Sequence, residues 1–295
     1  MSVILSPLAS LQQIANTPSR EDGIPEDIEE DLRAYGCKLI QQAGILLKQN
    51  QVAMATAQVL FQRFWFVTSM KQFGIGDMGM GALYLASKLE ECPIRMRDLI
   101  NVYDVLLSRA RHTLATSSVA AGASSSPTPF HYEPMSYFSQ RFYDLKDALV
   151  VAEMQILKRL GFNVQVQLPY GTMINYIRVL GLADVEGVPQ KAWGYLNDSL
   201  QTPVYAIYPF PTIAVACIFL TCRQLQIPLP EEPSHPWWSL FDAELEDITS
   251  ICGYILRLYR PRSEAEKQLV MALVSKKELR KWLDMEQQAA NRSRG

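Results

Sequence analysis

Two residues of opposite charge, Lys88 and Glu153, interrupt otherwise apolar helical faces and are the strongest candidates for chemistry. Lys88 shares a stripe of three- and four-residue steps with Met78, Gly81, Leu85 and Cys92, and Glu153 shares one with Leu149, Ile156, Leu157 and Leu160. A lone buried charge is costly, so each needs a partner or the edge of a packed surface. Two interpretations are open. In the first, Lys88 and Glu153 have only a structural role, as an internal pair or as half-exposed residues at an edge. In the second, they border an apolar docking surface and offer hydrogen bonds to a partner's backbone.

A glycine-rich stretch, residues 74–79 (GIGDMG), satisfies the G-x-G-x-x-G pattern of dinucleotide-binding loops. Such a loop works between a strand and a helix of a βαβ unit. Here it follows a helical pattern with no strand pattern around it. We therefore interpret these glycines as a turn that allows close helix packing, rather than as a nucleotide site.

Catalytic and metal-binding signatures are missing from the sequence. It contains no G-x-S-x-G, Walker A, H-E-x-x-H or aspartate-rich DDxxD motif. The five cysteines form no CxxC, and the three histidines are far apart, which argues against a disulfide framework or a zinc site. We expect no catalytic residues, no metal and no cofactor, which disfavours an all-α enzyme.

Composition narrows the class of protein further. The 295 residues are 48% hydrophobic and 20% charged, which allows two domains with a sizeable core. The formal net charge of −2 argues against direct nucleic-acid binding, which usually requires a basic excess. The longest apolar run, 213–220, is too short to cross a membrane, and the N-terminus lacks the basic region of a signal peptide. We expect a soluble intracellular protein with no membrane partner.

Apolar periodicity predicts an all-α chain, because alternating β-branched patterns are scarce. The first series of predicted helices covers 28–48, 51–68, 76–91, 94–112 and 136–160. The second covers 170–181, 188–201, 210–226, 236–242 and 244–259, and a last amphipathic helix covers 263–289.

A faint internal repeat organises these helices. Residues 82–90 (ALYLASKLE) align with 217–225 (CIFLTCRQL), and 153–162 (EMQILKRLGF) align with 252–261 (CGYILRLYRP). We predict two tandem five-helix bundles with flanking N- and C-terminal helices. The predicted divisions are a flexible segment 1–25, a first bundle 26–164 with a low-complexity insertion 113–134, a second bundle 165–260, and a C-terminal helix and tail 261–295.

These features resemble the cyclin family. ALYLASKLEE at 82–91, the helix that ends EMQILKRLGF, and the paired bundles are similar to a cyclin box and its structural repeat, over about residues 28–260. Residues 25–65, 96–103 (MRDLINVY), 193–204 (WGYLNDSLQTPV) and 223–230 (RQLQIPLP) resemble the cyclin L branch of that family.

The resemblance implies a nuclear, non-catalytic subunit that activates a cyclin-dependent serine/threonine kinase. A PITSLRE-type kinase is the expected partner, with RNA polymerase II transcription or pre-mRNA splicing as the setting and factors of those processes as further partners. The alternative is a cyclin-fold transcription adaptor without a kinase, related to general transcription factor IIB. That adaptor would need a basic face on the second repeat, and residues 170–245 carry few cations.

The resemblance also assigns a kinase-binding site. Lys88 and Glu153 match the lysine and glutamate of the cyclin box that hydrogen-bond the kinase near its mobile C-helix, and Leu89, Leu157 and Phe162 match the apolar residues against which that helix packs. The Asp-Arg-Phe and Met-Arg-Ala-Ile-Leu motifs of cell-cycle cyclins are replaced by residues 62–64 (Gln-Arg-Phe) and 37–40 (Cys-Lys-Leu-Ile). The resemblance therefore does not extend to substrate docking through that patch.

Overall fold

The computed structural model describes residues 9–120, 129–229, 231–232 and 235–292. The chain divides into two compact units. The N-terminal unit comprises Ala15–Val164 with Arg262–Gly295, and the C-terminal unit comprises Gln165–Pro261 with Met1–Ile14.

Most of the described residues are helical, as the sequence predicts. The helices are α1 (Leu11–Ala15), α2 (Pro18–Glu21), α3 (Glu26–Leu46), α4 (Gln51–Phe64), α5 (Ile75–Leu89), α6 (Met96–Ala120), α7 (Gln140–Arg159), α8 (Tyr170–Val179), α9 (Val188–Ser199), α10 (Val204–Ile207), α11 (Phe210–Leu225), α12 (Leu245–Arg257), α13 (Glu264–Ala272) and α14 (Lys276–Arg292). A 3-10 helix spans Trp237–Phe241, where the sequence predicts a helix, and strands β1 (Glu231–Glu232) and β2 (His235–Pro236) pair antiparallel. No helix of this described part has the length and apolar character needed to cross a bilayer.

Helix α5 is the centre of the N-terminal unit and packs against α3, α4, α6 and α7. Its glycines make this packing close: a Cβ added at Gly81 would lie 2.6 Å from the Cβ of Ala152 on α7. Phe61, Phe64 and Trp65 are fully buried, and the Trp65 ring meets both phenylalanines edge to face. This arrangement is a five-helix bundle, α3 to α7, built around one nearly all-apolar helix.

Helix α11 has the same position in the C-terminal unit, where it packs against α8, α9, α10, α12 and the 3-10 helix. Residues 213–218 are completely buried. Both α5 and α11 carry a single cation in the last turn, Lys88 and Arg223. Each bundle is therefore organised around one apolar helix that ends in a positive charge.

The prediction that an insertion begins at residue 113 is wrong, because α6 continues past His112 to Ala120. The hydroxyls of Thr116 and Ser117 donate to the carbonyls of His112 and Thr113, which satisfies them inside the helix. The composition of this stretch is typical of a loop, but alanine favours helices even where the sequence has no apolar face. The middle of the insertion, 121–128, lies outside the described residues.

The predicted single C-terminal helix is also wrong, because it is divided into α13 and α14. Leu273 and Val274 are buried at the break, and the Val274 carbonyl accepts a hydrogen bond from the backbone N–H of Gly76 at 3.4 Å. The break lets the chain pack against the start of α5, and amphipathic periodicity does not reveal such a tertiary contact.

Residues 9–25, expected to be flexible, form α1, α2 and a buried turn. Thr17 caps α2 through its side chain and also donates to Glu29 at 2.8 Å, and Ile24 is buried. The prolines of this segment suggested disorder, but they lie at helix starts, where proline is tolerated.

Glu29 on α3 is a buried carboxylate held by cations. Its oxygens accept hydrogen bonds from Arg33 at 2.8 Å and from Arg20 at 2.9 Å. Burial would raise the pKa of Glu29, but the charge and hydrogen bonds of Arg33, the Thr17 hydroxyl and the Arg20 charge together lower the pKa below its ordinary value of 4.5. Glu29 therefore stabilises the N-terminal unit in its ionised form.

Replacing Glu29 by Gln should lower the free energy of unfolding by about 3 kcal/mol at pH 7, because the buried Arg33 loses its counter-charge. Since the folded-state pKa is depressed, this contribution is complete above pH 4.5 and declines as the pH falls through the folded-state pKa. Urea unfolding of wild type and Glu29→Gln from pH 7 to pH 3 measures it. A stability difference that does not change with pH would contradict the assignment.

Replacing Gly81 by Ala should destabilise the N-terminal unit by about 2 kcal/mol, because the added methyl overlaps Ala152 and forces α5 and α7 apart. The matched control is Gly194→Ala in α9, where an added Cβ meets nothing within 4 Å. That control should gain stability of about 0.5–1 kcal/mol from helix propensity. Equal changes in the two variants, measured by thermal unfolding, would disprove the close contact.

Candidate functional site

Lys88 and Glu153 form an ion pair between the last turn of α5 and the middle of α7. The Lys88 ammonium also lies 4.2 Å from the centre of the Tyr84 ring. The side chains are 42% and 16% exposed, so the pair lies at the surface and not in the core. An ion pair this exposed contributes about 0–1 kcal/mol to stability. Both groups therefore stay accessible to a partner at little cost to the fold.

The end of α5 sets the position of Lys88 and Leu89. The N–H of Cys92 donates to the carbonyl of Ser87 at 2.9 Å, and the N–H of Glu91 donates to that of Lys88 at 3.3 Å. Glu91 takes a left-handed conformation, φ 55°. This pair of bonds is a Schellman ending. It closes the helix directly after Leu89, which is 40% exposed, and keeps the Lys88 ammonium near the negative end of the helix dipole.

Helix α7 ends in the same way and brings Leu157 and Phe162 together. The N–H of Phe162 donates to the carbonyl of Leu157 at 2.8 Å, and that of Gly161 donates to Lys158 at 3.2 Å. Gly161 and Phe162 are both left-handed, with φ values of 59° and 60°. A Schellman ending places these two apolar positions next to each other. The Phe162 side chain is 73% exposed, and a bulky residue in this conformation carries strain.

Sequence reasoning missed two exposed apolar residues beside this site, Val150 and Met154 on α7. They precede Leu157 at steps of four and three residues, so the three lie on one helical face. That spacing was the available signal, but apolar periodicity alone does not separate an exposed face from a buried one. We define the docking surface as Lys88, Leu89, Glu153, Met154, Leu157 and Phe162.

Residues 37–40, which the resemblance matches to the substrate-docking patch of cell-cycle cyclins, are buried except for Lys38. Cys37, Leu39 and Ile40 are buried on α3, and Gln62 donates to the Cys37 sulfur at 3.3 Å. Burial raises the pKa of the Cys37 thiol to about 12. These side chains are used for packing.

The glycine-rich stretch 74–79 is not a turn: Gly74 is the N-cap of α5 and residues 75–79 are the first residues of that helix. The element before it in the chain is the helix α4, not a strand. The stretch lacks the βα arrangement that a dinucleotide loop needs. Within the described ranges, no three His, Cys, Asp or Glu side chains are grouped so that they could hold a metal ion.

Comparison with known proteins places this geometry in context. The family profile described as the N-terminal domain of cyclins matches residues 8–165. Cyclin-L2 of Mus musculus is 42% identical over 243 residues, which cover 82% of this chain and 43% of that protein. Cyclin-L1 of Homo sapiens is 39% identical over 269 residues, which cover 91% and 47%. The chain therefore spans less than half the length of these relatives.

Two solved structures share the fold. A chain of the yeast RNA Pol II CTD kinase CTDK-1 complex superposes with a TM-score of 0.63 at 16% identity, over 86% of this chain and 73% of that one. A chain of the CAK complex from Chaetomium thermophilum, bound to ATP-γ-S, gives 0.54 at 17% identity, over 90% and 80%. At these identities the likeness establishes the tandem helical bundles.

Replacing Phe162 by Gly should cost no stability and should leave the protein about 1 kcal/mol more stable than Phe162→Ala, because glycine relieves the left-handed strain. The control pair is Phe138→Gly and Phe138→Ala, at an exposed phenylalanine that is not in the left-handed region. There the glycine variant should not be the more stable one. Urea unfolding of the four variants tests this, and a lower stability of Phe162→Gly than of Phe162→Ala would contradict it.

Proposed function

The chain belongs to the cyclin family, and we propose that it is a non-catalytic subunit that binds and activates a cyclin-dependent kinase. The observation that carries the proposal is the docking surface, where the Lys88–Glu153 ion pair lies among exposed apolar side chains. Most surface apolar residues occur singly, and a contiguous group bordered by charges is typical of an interaction site.

The charges of the docking surface suit the binding of a helix end or loop backbone. An ammonium has three donors, and a carboxylate accepts from several N–H groups. The single contact between Lys88 and Glu153 leaves further donors and acceptors for a partner. When a partner buries this surface, Lys88 and Glu153 neutralise each other. Burial of either charge without a partner would cost several kcal/mol.

The apolar residues supply the affinity. Phe162, Leu89 and Met154 all have 40% or more of their surface exposed. Burying one such side chain at the centre of an interface contributes about 1–2 kcal/mol. A small group of buried anchors of this kind is enough to dominate the binding energy.

Activation follows from selective binding. A protein kinase is active when the glutamate of its C-helix pairs with the β3 lysine and its activation segment is in place. A rigid surface that binds only the inward position of the C-helix shifts the kinase population toward the active state. A shift from 1:99 to 99:1 requires about 5.5 kcal/mol of differential binding, which several buried anchors together supply.

We propose a PITSLRE-type kinase as the partner, and RNA polymerase II transcription or pre-mRNA splicing in the nucleus as the setting. The similarity to cyclin-L1 and cyclin-L2 over more than four fifths of this chain supports that choice. The described fold is also that of a chain from an RNA Pol II CTD kinase complex. Transcription and splicing factors are the further partners that such a setting provides.

We further propose that residues 26–164 act as the kinase-binding cyclin box and residues 165–260 as its repeat. The docking surface lies wholly within the N-terminal unit. Residues of the 261–295 segment also belong to that unit, where Arg262 donates two 3.0 Å hydrogen bonds to the carboxylate of Asp31.

Exchanging the charges separates a docking role from a structural one. Lys88→Glu and Glu153→Lys should each reduce kinase capture at least tenfold. The double variant Lys88→Glu/Glu153→Lys restores the ion pair and the thermal stability, but it should still fail to capture the kinase because the charges are reversed. Pull-down of a PITSLRE-type kinase, with circular dichroism as the folding check, measures both properties.

The matched control is the exchange Glu264→Lys/Lys267→Glu, which reverses an exposed ion pair of 3.2 Å elsewhere in the same unit. It should capture the kinase normally. Normal capture by the Lys88→Glu/Glu153→Lys double variant would show that the pair is only structural. Loss of capture by both exchanges would contradict a localised docking surface.

A further inference from the structure

A cavity of about 590 Å³ lies inside the N-terminal unit, away from the docking surface. Its walls come from α5, α6, α7, the α13–α14 break and the residues next to that break. Most of the lining residues are apolar, among them Met80, Ile100, Leu107, Leu145, Met271 and Val274. Ligand sites in proteins have volumes of roughly 300–1,000 Å³ and mostly apolar walls with a few polar groups. This cavity has both properties.

The glycine-rich start of α5 builds one wall of the cavity. A Cβ added at Gly74 would lie 3.3 Å from the backbone nitrogen of Lys276, and one at Gly76 would lie 3.3 Å from a Val274 methyl group. The glycines therefore allow the α13–α14 break to approach α5 closely. This stretch matches the sequence pattern of a nucleotide loop, but in the structure it is the start of α5 and lines a cavity.

Asp77 is the polar group at this end of the cavity. It lies in the first turn of α5 and lines the cavity wall, and no hydrogen bond joins its side chain to another described residue. Burial raises the pKa of Asp77, although the nearby Lys276 charge opposes the shift. The Asp77 carboxylate is half-buried and has no hydrogen bond from a described residue, so a ligand with an N–H donor would satisfy it.

The remaining charged groups favour a cationic ligand at this end. Glu278 also lines the cavity and adds a second carboxylate, which pairs with Lys281 at 3.0 Å. The cavity's two arginines, Arg111 and Arg141, both pair with Asp104, which accepts a further hydrogen bond from Tyr132 at 2.9 Å. The two arginines of the wall thus share one carboxylate, and the wall as a whole carries three carboxylates, Asp77, Asp104 and Glu278, against two arginines.

We propose that this cavity binds a small, mainly apolar molecule that carries a protonated amine, with the amine on the Asp77 carboxylate and the apolar part among the α6 and α13 side chains. The size of the cavity limits the ligand to a small molecule. The site is separate from the docking surface, because Asp77 and Lys88 are eleven residues apart on α5, about 16 Å along the helix axis. Binding here neither requires nor tests the kinase.

Calorimetry with the full chain and two matched probes tests this site. The probes are 4-phenylbutylamine and 4-phenylbutanoate, which share an apolar part and differ in charge. We expect saturable binding of the amine, at least fivefold tighter than that of the carboxylate. Asp77→Asn should weaken binding of the amine at least fivefold and remove the preference between the probes.

The matched control is Asp98→Asn, which removes a carboxylate from the first turn of α6 outside the cavity wall. It should bind both probes as the wild type does. Ala110→Met places a flexible side chain in the cavity and should weaken binding of the amine, with circular dichroism confirming the fold. Equal affinity for the two probes, no effect of Asp77→Asn, or an equal effect of Asp98→Asn would each overturn the proposal.

Discussion

The contact between α5 and α7 at Gly81 and Ala152 is the constraint on which the rest of the N-terminal unit depends. With no side chain at Gly81, the two helices pack almost backbone to backbone. This closeness brings the last turn of α5 beside α7, so that Lys88 reaches Glu153. A larger residue at Gly81 would separate the two halves of the docking surface without changing any residue in it.

The C-terminal ends of α5 and α7 contain residues whose conformation costs stability. Both end in Schellman motifs, and each motif holds a non-glycine residue, Glu91 or Phe162, in the left-handed region. Phe162 combines backbone strain with an exposed ring, which contributes little to folding. A strained and exposed aromatic residue beside an ion pair is better explained by a partner that covers it than by the stability of the isolated chain.

Much of this fold was accessible from periodicity, because long apolar stripes at helical spacing identify core helices such as α5 and α11. The positions at which the helices end were harder to predict from the sequence. The continuation of α6 is consistent with the helix propensity of alanine, with the Thr116 and Ser117 hydroxyls satisfied by carbonyls of the preceding turn. The break between α13 and α14 packs against Gly76. The interrupted stripes located Lys88 and Glu153, whereas the exposure of Val150 and Met154 is set by tertiary packing. The glycine pattern at 74–79 predicts close packing, which the structure shows, but these residues begin α5 and do not form a turn. The cavity beside them is formed together with helices distant in the sequence.

Site-specific crosslinking tests the central claim, that the docking surface contacts the kinase C-helix, most directly. The photoreactive residue p-benzoylphenylalanine replaces Phe162 in one protein and Leu46, an exposed residue at the end of α3, in another. After irradiation with a PITSLRE-type kinase, the protein labelled at position 162 should crosslink to a peptide of the kinase C-helix, and the protein labelled at position 46 should not. No crosslink from position 162, or equal crosslinks from both positions, would contradict the account.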